Sequence, residues 1–206
     1  MTLHWALLVG AAYLVGSLSF SLAVVWMIKR ADVRKVGSGN AGATNVLRAA
    51  GRWPAILVLL LDIAKGVVPV RVARALGAPA EVVAAAAFAV VLGHIFPLFF
   101  GFRGGKGVAT SFGALASLFP LAGGTALAIF LLVVISTRLV SLGSVLAAMA
   151  LPAVELFYVR LGLSPPVARG TLAIACACSG LVVLRHAGNI RRLVKGTERR
   201  LGERRS

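Results

Sequence analysis

Two glycine-rich segments carry residue types that are suited to binding an anion. The first runs from Gly37 to Arg52 and reads GSGNAGATNVLRAAGR, and the second runs from Gly101 to Gly113 and reads GFRGGKGVATSFG. Glycine has no side chain, so successive backbone N–H groups can converge on one negatively charged group, and a nearby Lys or Arg adds formal positive charge. Both segments therefore predict phosphate-binding loops.

The first segment matches the G-x-G-x-x-G pattern of dinucleotide-binding folds between Gly37 and Gly42. That fingerprint requires a preceding β-strand, whereas an apolar helical run precedes it here. We interpret the segment as a turn that enters a helix near Thr44, whose N–H groups point at a phosphate. The alternative is a solvated loop that needs glycine for its turns and arginine for membrane orientation. The candidate phosphate-binding residues are Ser38, Asn40, Thr44, Asn45 and Arg48.

The second segment departs from the Walker A pattern, because glycine follows Lys106 where Ser or Thr would bind magnesium. An ATPase is therefore not favoured. A phosphate cradle at a helix start is still predicted, with Lys106 as a point charge. Its candidate binding residues are Gly104, Gly105, Lys106 and Gly107. His94 precedes them, and it is either a packing residue at a helix end or a supporting part of the site.

Ionisable residues also interrupt the apolar run LVLLLDIAKGVV, at Asp62 and Lys65. Charges at membrane depth are expensive, and i,i+3 spacing places these two on one helical face. We expect an internal ion pair that supports the site without touching substrate.

The last candidate residues follow the final apolar run, in RHAGNIRRLVKGTE. His186 and Asn189 are three residues apart and would share a helical face, so they are candidate catalytic residues, with Glu198 in a supporting role. A basic amphipathic tail on anionic lipid is the alternative, but it does not require His, Asn or Glu. Ser141 joins the candidate catalytic residues from the polar break TRLVSLGS.

The composition requires elements that lie in a membrane. Of the 206 residues, 59% are hydrophobic and 14% are charged, and the mean hydropathy is +0.94, which is typical of a multi-span membrane protein. The net charge is +16, but basic residues sit mostly at the ends of apolar runs, so membrane orientation explains them better than nucleic-acid binding. Cys176 and Cys178 suit neither a disulfide nor a shared metal, and we expect no metal or other cofactor.

Six apolar runs are evident, near residues 3–28, 54–76, 79–100, 108–136, 139–160 and 168–184. Phe119-Pro120 and the following glycines predict a turn inside the fourth run, which gives seven spans. The segments 29–52 and 185–206 are both strongly basic, so both should be cytoplasmic. We therefore predict an all-α integral membrane protein, a compact bundle of about seven transmembrane helices with the N-terminus outside and the C-terminus cytoplasmic. It would form a single membrane-embedded domain, residues 1–206, with a basic cytoplasmic tail at 185–206.

These segments, in this order, resemble the bacterial acyl-phosphate:glycerol-3-phosphate acyltransferases, the PlsY family. The resemblance covers nearly the whole chain and is carried by GSGNAGATNVLR, GHIFPLFFGFRGGKGVAT and RHAGNIRRLVKGTE, supported by LDIAKG and TRLVSLGS. One departure is Ser19, where the family pattern is expected to carry Pro.

The resemblance implies a seven-span enzyme of the bacterial inner membrane with its active site on the cytoplasmic face. Such an enzyme transfers a fatty acyl group from acyl phosphate to glycerol 3-phosphate, giving lysophosphatidate and phosphate in the first step of phospholipid synthesis. We expect Ser38, Arg48 and Lys106 to hold phosphates, while His186 and Asn189 orient the hydroxyl or stabilise the oxyanion. Either His186 or a substrate phosphate would accept the proton. The competing function is an organic-phosphate transporter or channel, which would place its basic groups midway through the bilayer.

Overall fold

The computed structural model describes residues 2–203, and across that range the chain forms α-helices, two short 3-10 helices and no β-strand. The all-helical prediction is confirmed for these residues. The α-helices, in chain order, are α1 (Leu3–Ser17), α2 (Phe20–Lys29), α3 (Ala43–Ala50), α4 (Arg52–Ala75), α5 (Ala80–Ile95), α6 (Val108–Leu118), α7 (Pro120–Thr137), α8 (Val140–Arg160), α9 (Arg169–Arg185) and α10 (Ala187–Val194). The 3-10 helices are Val33–Lys35 and Leu98–Phe100. The last three residues of the predicted basic tail lie outside the described range.

Several of these helices have the length and apolarity of membrane spans. Four segments qualify among the described residues, Leu3–Lys29, Ala80–Phe100, Pro120–Thr137 and Val140–Arg160, and the bent pair formed by α9 and α10 would make a fifth. The helix α4 has 24 residues but carries five charged side chains. The helix α6 has 11 residues, or about 16 Å at 1.5 Å per residue, which is short of a hydrocarbon core of ~30 Å, so as a span it must be shielded by neighbouring helices.

The chain divides into two compact units, Met1–Leu118 and Phe119–Ser206. The boundary falls at the predicted turn: α6 ends at Leu118, Phe119 adopts φ −131° and ψ 78°, and α7 begins at Pro120. Proline is tolerated at the first position of a helix because the N–H group that it lacks would have no intrahelical partner there.

In the first unit, α1 packs against α5 and α4 packs against α6. Glycines make both crossings close. A Cβ on Gly93 of α5 would collide with the carbonyl oxygen of Tyr13, and a Cβ on Gly66 of α4 would collide with that of Thr110. These crossings hold the end of α5 against α1 and α4 against the start of α6, and so they position the second glycine-rich loop, which joins α5 to α6.

The first apolar run is broken between α1 and α2, at Leu18 and Ser19. The break forms with Ser19, and not Pro, at this position. Leu18 is extended, with φ −68° and ψ 113°, and its carbonyl oxygen lies 2.7 Å from Nζ of Lys65. The buried ammonium therefore satisfies a carbonyl group that the interrupted helix leaves without its usual partner.

In the second unit, α7 packs against α8, and α8 packs against α9. The hydroxyl groups of Thr125 and Tyr158 join α7 to α8 at 2.7 Å. The chain bends by 57° between α9 and α10, and the N–H of Leu201 then donates to the carbonyl of Arg138 at 2.7 Å. The C-terminal segment is thereby tied to the turn between α7 and α8.

Arg74 supports the C-terminal end of α6. Its guanidinium donates to the carbonyl oxygens of Ser117 and Leu118, at 2.6 and 3.3 Å. We expect Arg74→Met to destabilise the protein by about 1–2 kcal/mol, because these carbonyls lose charge-assisted hydrogen bonds. Thermal unfolding in detergent would measure the difference. Arg71→Met, on the same helix and also exposed, is the matched control, and equal melting temperatures for the two variants would contradict this role.

Candidate phosphate-binding and acyl-transfer site

Asn45 organises the first glycine-rich loop. Its side chain is buried, and its amide nitrogen donates to the carbonyls of Val33 and Val36 at 2.8 and 2.9 Å. Its Oδ1 accepts from the N–H of Ser38 at 2.9 Å. Both amide hydrogens are thus directed at loop carbonyls and not at an anion. Asn45 therefore holds the shape of the loop through hydrogen bonds to its backbone. The sequence had predicted a hydrogen bond from Asn45 to a phosphate.

The remaining predicted residues of this loop surround the start of α3. The helix begins at Ala43, one residue before the predicted start at Thr44. Gly37 adopts φ +64°, which favours glycine, and the Arg48 side chain passes within 3.7 Å of the Cβ position of Gly37. Ser38 and Arg48 are exposed, and Asn40 and Thr44 are half-buried. Solvent-accessible donors and a cation therefore border this loop.

Arg34 braces the same loop. From the sequence it was only one of the basic residues in segment 29–52. Its guanidinium binds both carboxylate oxygens of Asp32, the shorter contact being 2.8 Å, and Nη1 donates to the carbonyl of Phe100 at 3.2 Å. The hydrogen bonds from Arg34 hold the pKa of Asp32 below its ordinary value. Phe100 lies just before the second loop, so Arg34 connects the two glycine-rich segments.

Gly105 brings the two loops into contact. Its N–H donates to the carbonyl of His94, and the N–H of Gly104 donates to that of Ile95, both at 3.2 Å. A Cβ on Gly105 would collide with Nε2 of His94 and lie 2.5 Å from the carbonyl oxygen of Ala41, in the first loop. No side chain fits there without displacement. This contact is why the position needs glycine.

The direction of these N–H groups changes which groups of the second loop are expected to donate hydrogen bonds to an anion. Because Gly104 and Gly105 donate to carbonyls of α5, they provide close packing and not the predicted anion donors. Gly107, with φ +82°, leads into α6, whose first-turn N–H groups have no partner within the helix. The half-buried Lys106 lies between these two parts of the loop. The groups of this loop whose chemistry still suits an anion are the Lys106 ammonium and the first-turn N–H groups of α6.

The predicted ion pair is present in α4, behind this loop. Nζ of Lys65 lies 2.9 Å from Oδ1 of Asp62, and each side chain is only 3% exposed. Nδ1 of His94 lies 3.6 Å from the same carboxylate oxygen and 3.1 Å from Oγ1 of Thr110. Thr110 was missed in the sequence, where it reads as an ordinary residue at a helix start. The ion pair and the phosphate loop are thus parts of one buried network.

Glu198 forms the centre of a cluster in the second unit. Its Oε1 accepts from Oγ of Ser141 at 2.8 Å and from the amide of Asn189, while Oε2 accepts from Nε of Arg192 at 2.7 Å. The structure therefore brings together three predicted residues, Ser141, Asn189 and Glu198, and adds Arg192. Ser141 donates its hydroxyl hydrogen to Glu198 and so helps to hold the carboxylate within the cluster.

His186 lies at the bend between α9 and α10 and is buried. Its Nδ1 is 2.7 Å from the carbonyl oxygen of Val182. A carbonyl can only accept, so Nδ1 carries a hydrogen, and in the neutral ring Nε2 is then an acceptor. Asn189 is three residues further on. The ring of His186 is thus held through Nδ1, and the amide of Asn189 is held by the carboxylate of Glu198.

Glu198 also predicts a dependence of stability on pH. Burial raises its pKa, but hydrogen bonds from Asn189, Ser141 and Arg192 outweigh this and hold the pKa below its ordinary value of 4.5. A carboxyl whose pKa is depressed in the folded state contributes stability above 4.5, and that contribution is lost as the pH falls through the folded pKa. We expect the gap in melting temperature between wild type and Glu198→Gln to be widest at neutral pH and to narrow below pH 4.5. Glu81→Gln, at the exposed start of α5, is the control, and a gap that stays constant with pH would contradict the assignment.

Metal chemistry has no obvious ligand set in the described part of the chain. Residues 2–203 contain no group of three or more His, Cys, Asp or Glu side chains that could hold an ion. Both Cys176 and Cys178 are free thiols.

Known proteins match this chain closely. A family model described as glycerol-3-phosphate acyltransferase matches residues 6–196. A glycerol-3-phosphate acyltransferase of Halalkalibacterium halodurans is 48% identical over 98% of this chain and 97% of its own length, and glycerol-3-phosphate acyltransferase 1 of Deinococcus radiodurans is 45% identical over 98% of both chains. Crystal structures of PlsY, an integral membrane glycerol 3-phosphate acyltransferase, superpose well. The glycerol 3-phosphate form gives a TM-score of 0.86 at 38% identity, covering 97% of this chain and 96% of that one, and the lysophosphatidic acid form gives 0.82 at 36% identity over the same shares.

Proposed function

Because this chain belongs to the glycerol-3-phosphate acyltransferase family, we propose that it acylates glycerol 3-phosphate with acyl phosphate as the donor. The resemblance to the PlsY family is confirmed, and the chain is a bacterial integral membrane acyltransferase. The matches give no support to the transporter alternative. The choice of acyl donor and the roles of individual residues make up the proposal.

The observation that carries the proposal is the contact between the two glycine-rich loops at Gly105 and Ala41. It supports a shared site for Arg48, Ser38 and Lys106, which belong to these two adjoining loops. Two cations and a helix N-terminus there suit substrates that both carry phosphate. In an acyl phosphate the phosphate is bonded directly to the acyl carbon, so a grip on the phosphate also positions the carbonyl. In a coenzyme A thioester the phosphates are remote from that carbon.

We assign nucleophile orientation to the second unit. Nδ1 of His186 is held by the carbonyl of Val182, so Nε2 can accept the hydrogen of the glycerol hydroxyl. Glu198 fixes the amide of Asn189. We assign to that amide a hydrogen bond to the carbonyl oxygen of the acyl group, where negative charge develops during the reaction.

The chemical step needs no covalent enzyme intermediate. The hydroxyl oxygen bonds to the acyl carbon while the bond from that carbon to the phosphate oxygen breaks. The hydroxyl proton is finally carried by the released phosphate, so atoms and charge balance. Phosphate is a good leaving group, and Lys106 stabilises its charge, so positioning and electrostatics supply the rate enhancement.

A comparison of donors tests the proposal. Purified protein in detergent is given labelled glycerol 3-phosphate with either palmitoyl phosphate or palmitoyl-coenzyme A at equal concentration, and lysophosphatidate is measured. We expect product only from palmitoyl phosphate. A Lys106→Ala preparation controls for contaminating acyltransferases, and equal or faster product formation from the thioester would overturn the donor assignment.

We also infer seven spans in the inner membrane, with the N-terminus outside and the active site on the cytoplasmic face. The basic segments 29–52 and 185–206 support this orientation. In a background without native cysteines, Thr2→Cys should react with an impermeant maleimide in intact spheroplasts, and Lys195→Cys should react only after permeabilisation. The reverse pattern would refute the orientation.

A further inference from the structure

We propose that His94 is a positioning residue for the phosphate loop, held by Thr110 and Asp62 as its Nδ1–H tautomer so that Nε2 faces Gly105 without a hydrogen. The functional part of this inference rests on the proposed acyl transfer, while the tautomer itself can be measured without turnover.

The hydrogen bonds of Thr110 determine the state of Nδ1. The hydroxyl of Thr110 lies 3.1 Å from the backbone carbonyl oxygen of Asp62, which can only accept, so the single hydroxyl hydrogen is directed there. Nδ1 of His94 lies 3.1 Å from the same hydroxyl oxygen. With its hydrogen already committed, that oxygen accepts, and Nδ1 must carry the hydrogen that is donated.

The carboxylate of Asp62 favours the same tautomer. Its Oδ1 lies 3.6 Å from Nδ1 of His94, and a carboxylate favours a hydrogen on the nitrogen that faces it. Lys65, at 2.9 Å from that oxygen, stabilises the ionised form of the carboxylate. Lys65 in turn donates to the carbonyl of Leu18 at the helix break. A chain of polar contacts therefore runs from the break in the first span to the imidazole.

The consequence reaches the phosphate loop through the other ring nitrogen. Nε2 lies so close to Gly105 that a Cβ there would collide with it. The carbonyl of His94 also accepts from the N–H of Gly105, so the backbone and the ring of one residue both contact the residue before Lys106. A bare Nε2 packs against Gly105 with no hydrogen between them, whereas an N–H at this position would add a hydrogen to a contact that is already close.

Thr110 therefore acts on Lys106 through His94. If the ring turned or changed tautomer, the glycine loop would shift, and Lys106 would move with it. Small displacements of a group that holds a reacting phosphate have large effects on rate and binding. Thr110 and His94 position the cradle and need not touch substrate.

Solid-state nitrogen NMR of ¹⁵N-histidine-labelled protein in lipid bilayers tests the tautomer directly. The chain has three histidines, so His4→Gln and His186→Gln samples assign the His94 signals. We expect a protonated Nδ1 and a bare Nε2 at His94 in the wild type. A protonated Nε2, in either the other neutral tautomer or the imidazolium, would overturn the proposal.

A matched pair at position 110 tests the effect on the loop. Thr110→Ser keeps the hydroxyl, whereas Thr110→Val keeps the shape and removes it. We expect Thr110→Val to mix the His94 tautomers and to raise KM for the phosphate substrates by about tenfold or more, while Thr110→Ser stays close to wild type in both. Equal KM values and an unchanged His94 spectrum in Thr110→Val would refute the positioning role.

The two readouts separate this inference from the proposed function. If acyl phosphate were not the donor, the assay of the wild type would fail while the NMR result stood. If Thr110→Val failed to fold, the spectrum of the wild type would still decide the tautomer. If the wild type turns over acyl phosphate but His94 carries a hydrogen on Nε2, the inference about His94 is wrong while the proposed function stands.

Discussion

Lys106→Ala is expected to lower kcat/KM for acyl transfer by about 100- to 1,000-fold, the range seen when one charge-stabilising donor is removed from an acyl-transfer site. Lys106 supplies a formal positive charge in the second loop, next to the N-terminus of α6. It should stabilise substrate phosphate on binding and the additional charge as phosphate leaves. Both effects vanish with the ammonium, so we expect KM to rise and kcat to fall. Initial rates over a matrix of both substrate concentrations would measure each constant.

The matched control for this variant is Lys195→Ala. Lys195 is an exposed lysine after α10, so its removal changes the net charge of the protein by the same amount. It should leave both kinetic constants near the wild-type values. If the two variants lost activity equally, the effect of Lys106 would reflect overall charge, and the phosphate assignment would be wrong.

His186→Ala is expected to lower kcat by about 100-fold or more, in line with the usual contribution of a positioned acid–base group. Nδ1 of His186 donates to the carbonyl of Val182, and in the proposed mechanism Nε2 accepts from the glycerol hydroxyl. Alanine removes that acceptor but leaves the phosphate loops of the first unit in place. We therefore expect KM to change much less than kcat.

His4→Ala serves as the control, since His4 is exposed near the N-terminus. Melting temperatures of both variants would show whether the loss of His186 unfolds the protein, because this ring is buried. A folded His186→Ala enzyme with wild-type kcat would remove His186 from the mechanism.

The sequence predicted the elements of this fold well where apolar runs and proline determine them. The runs near 54–76 and 139–160 became α4 and α8 with shifts of one or two residues. Pro120 correctly indicated the end of α6, because proline is favoured at the first position of a helix, which it occupies in α7. The break at Leu18 was not predicted, since it depends on the ammonium of Lys65, which is 47 residues away.

The candidate site was predicted in its residue types but less well in their geometry. The ion pair of Asp62 and Lys65 follows from helical spacing, which is a local property. The hydrogen bonds of Asn45 could not be predicted, because its partners depend on how the loop folds back on α3. The same is true of Gly104 and Gly105, whose N–H groups face carbonyls of α5.

The residues that the sequence analysis missed share one property. Arg34, Thr110 and Arg192 each pair with a group that lies beyond their own helix or turn, at Phe100, His94 and Glu198. Nothing in the local pattern of an arginine or a threonine reveals such a partner. An acidic residue two positions before Arg34 was a usable signal, since short-range pairs of this kind often brace loops.

A rapid-quench single turnover, with enzyme in excess over labelled palmitoyl phosphate in the presence of glycerol 3-phosphate, tests the direct transfer of the acyl group. We predict that phosphate and lysophosphatidate appear with the same rate constant, and that intact-protein mass spectrometry finds no acylated chain at any time. A burst of phosphate before lysophosphatidate, together with an acylated protein that decays as product forms, would contradict direct attack by the glycerol hydroxyl.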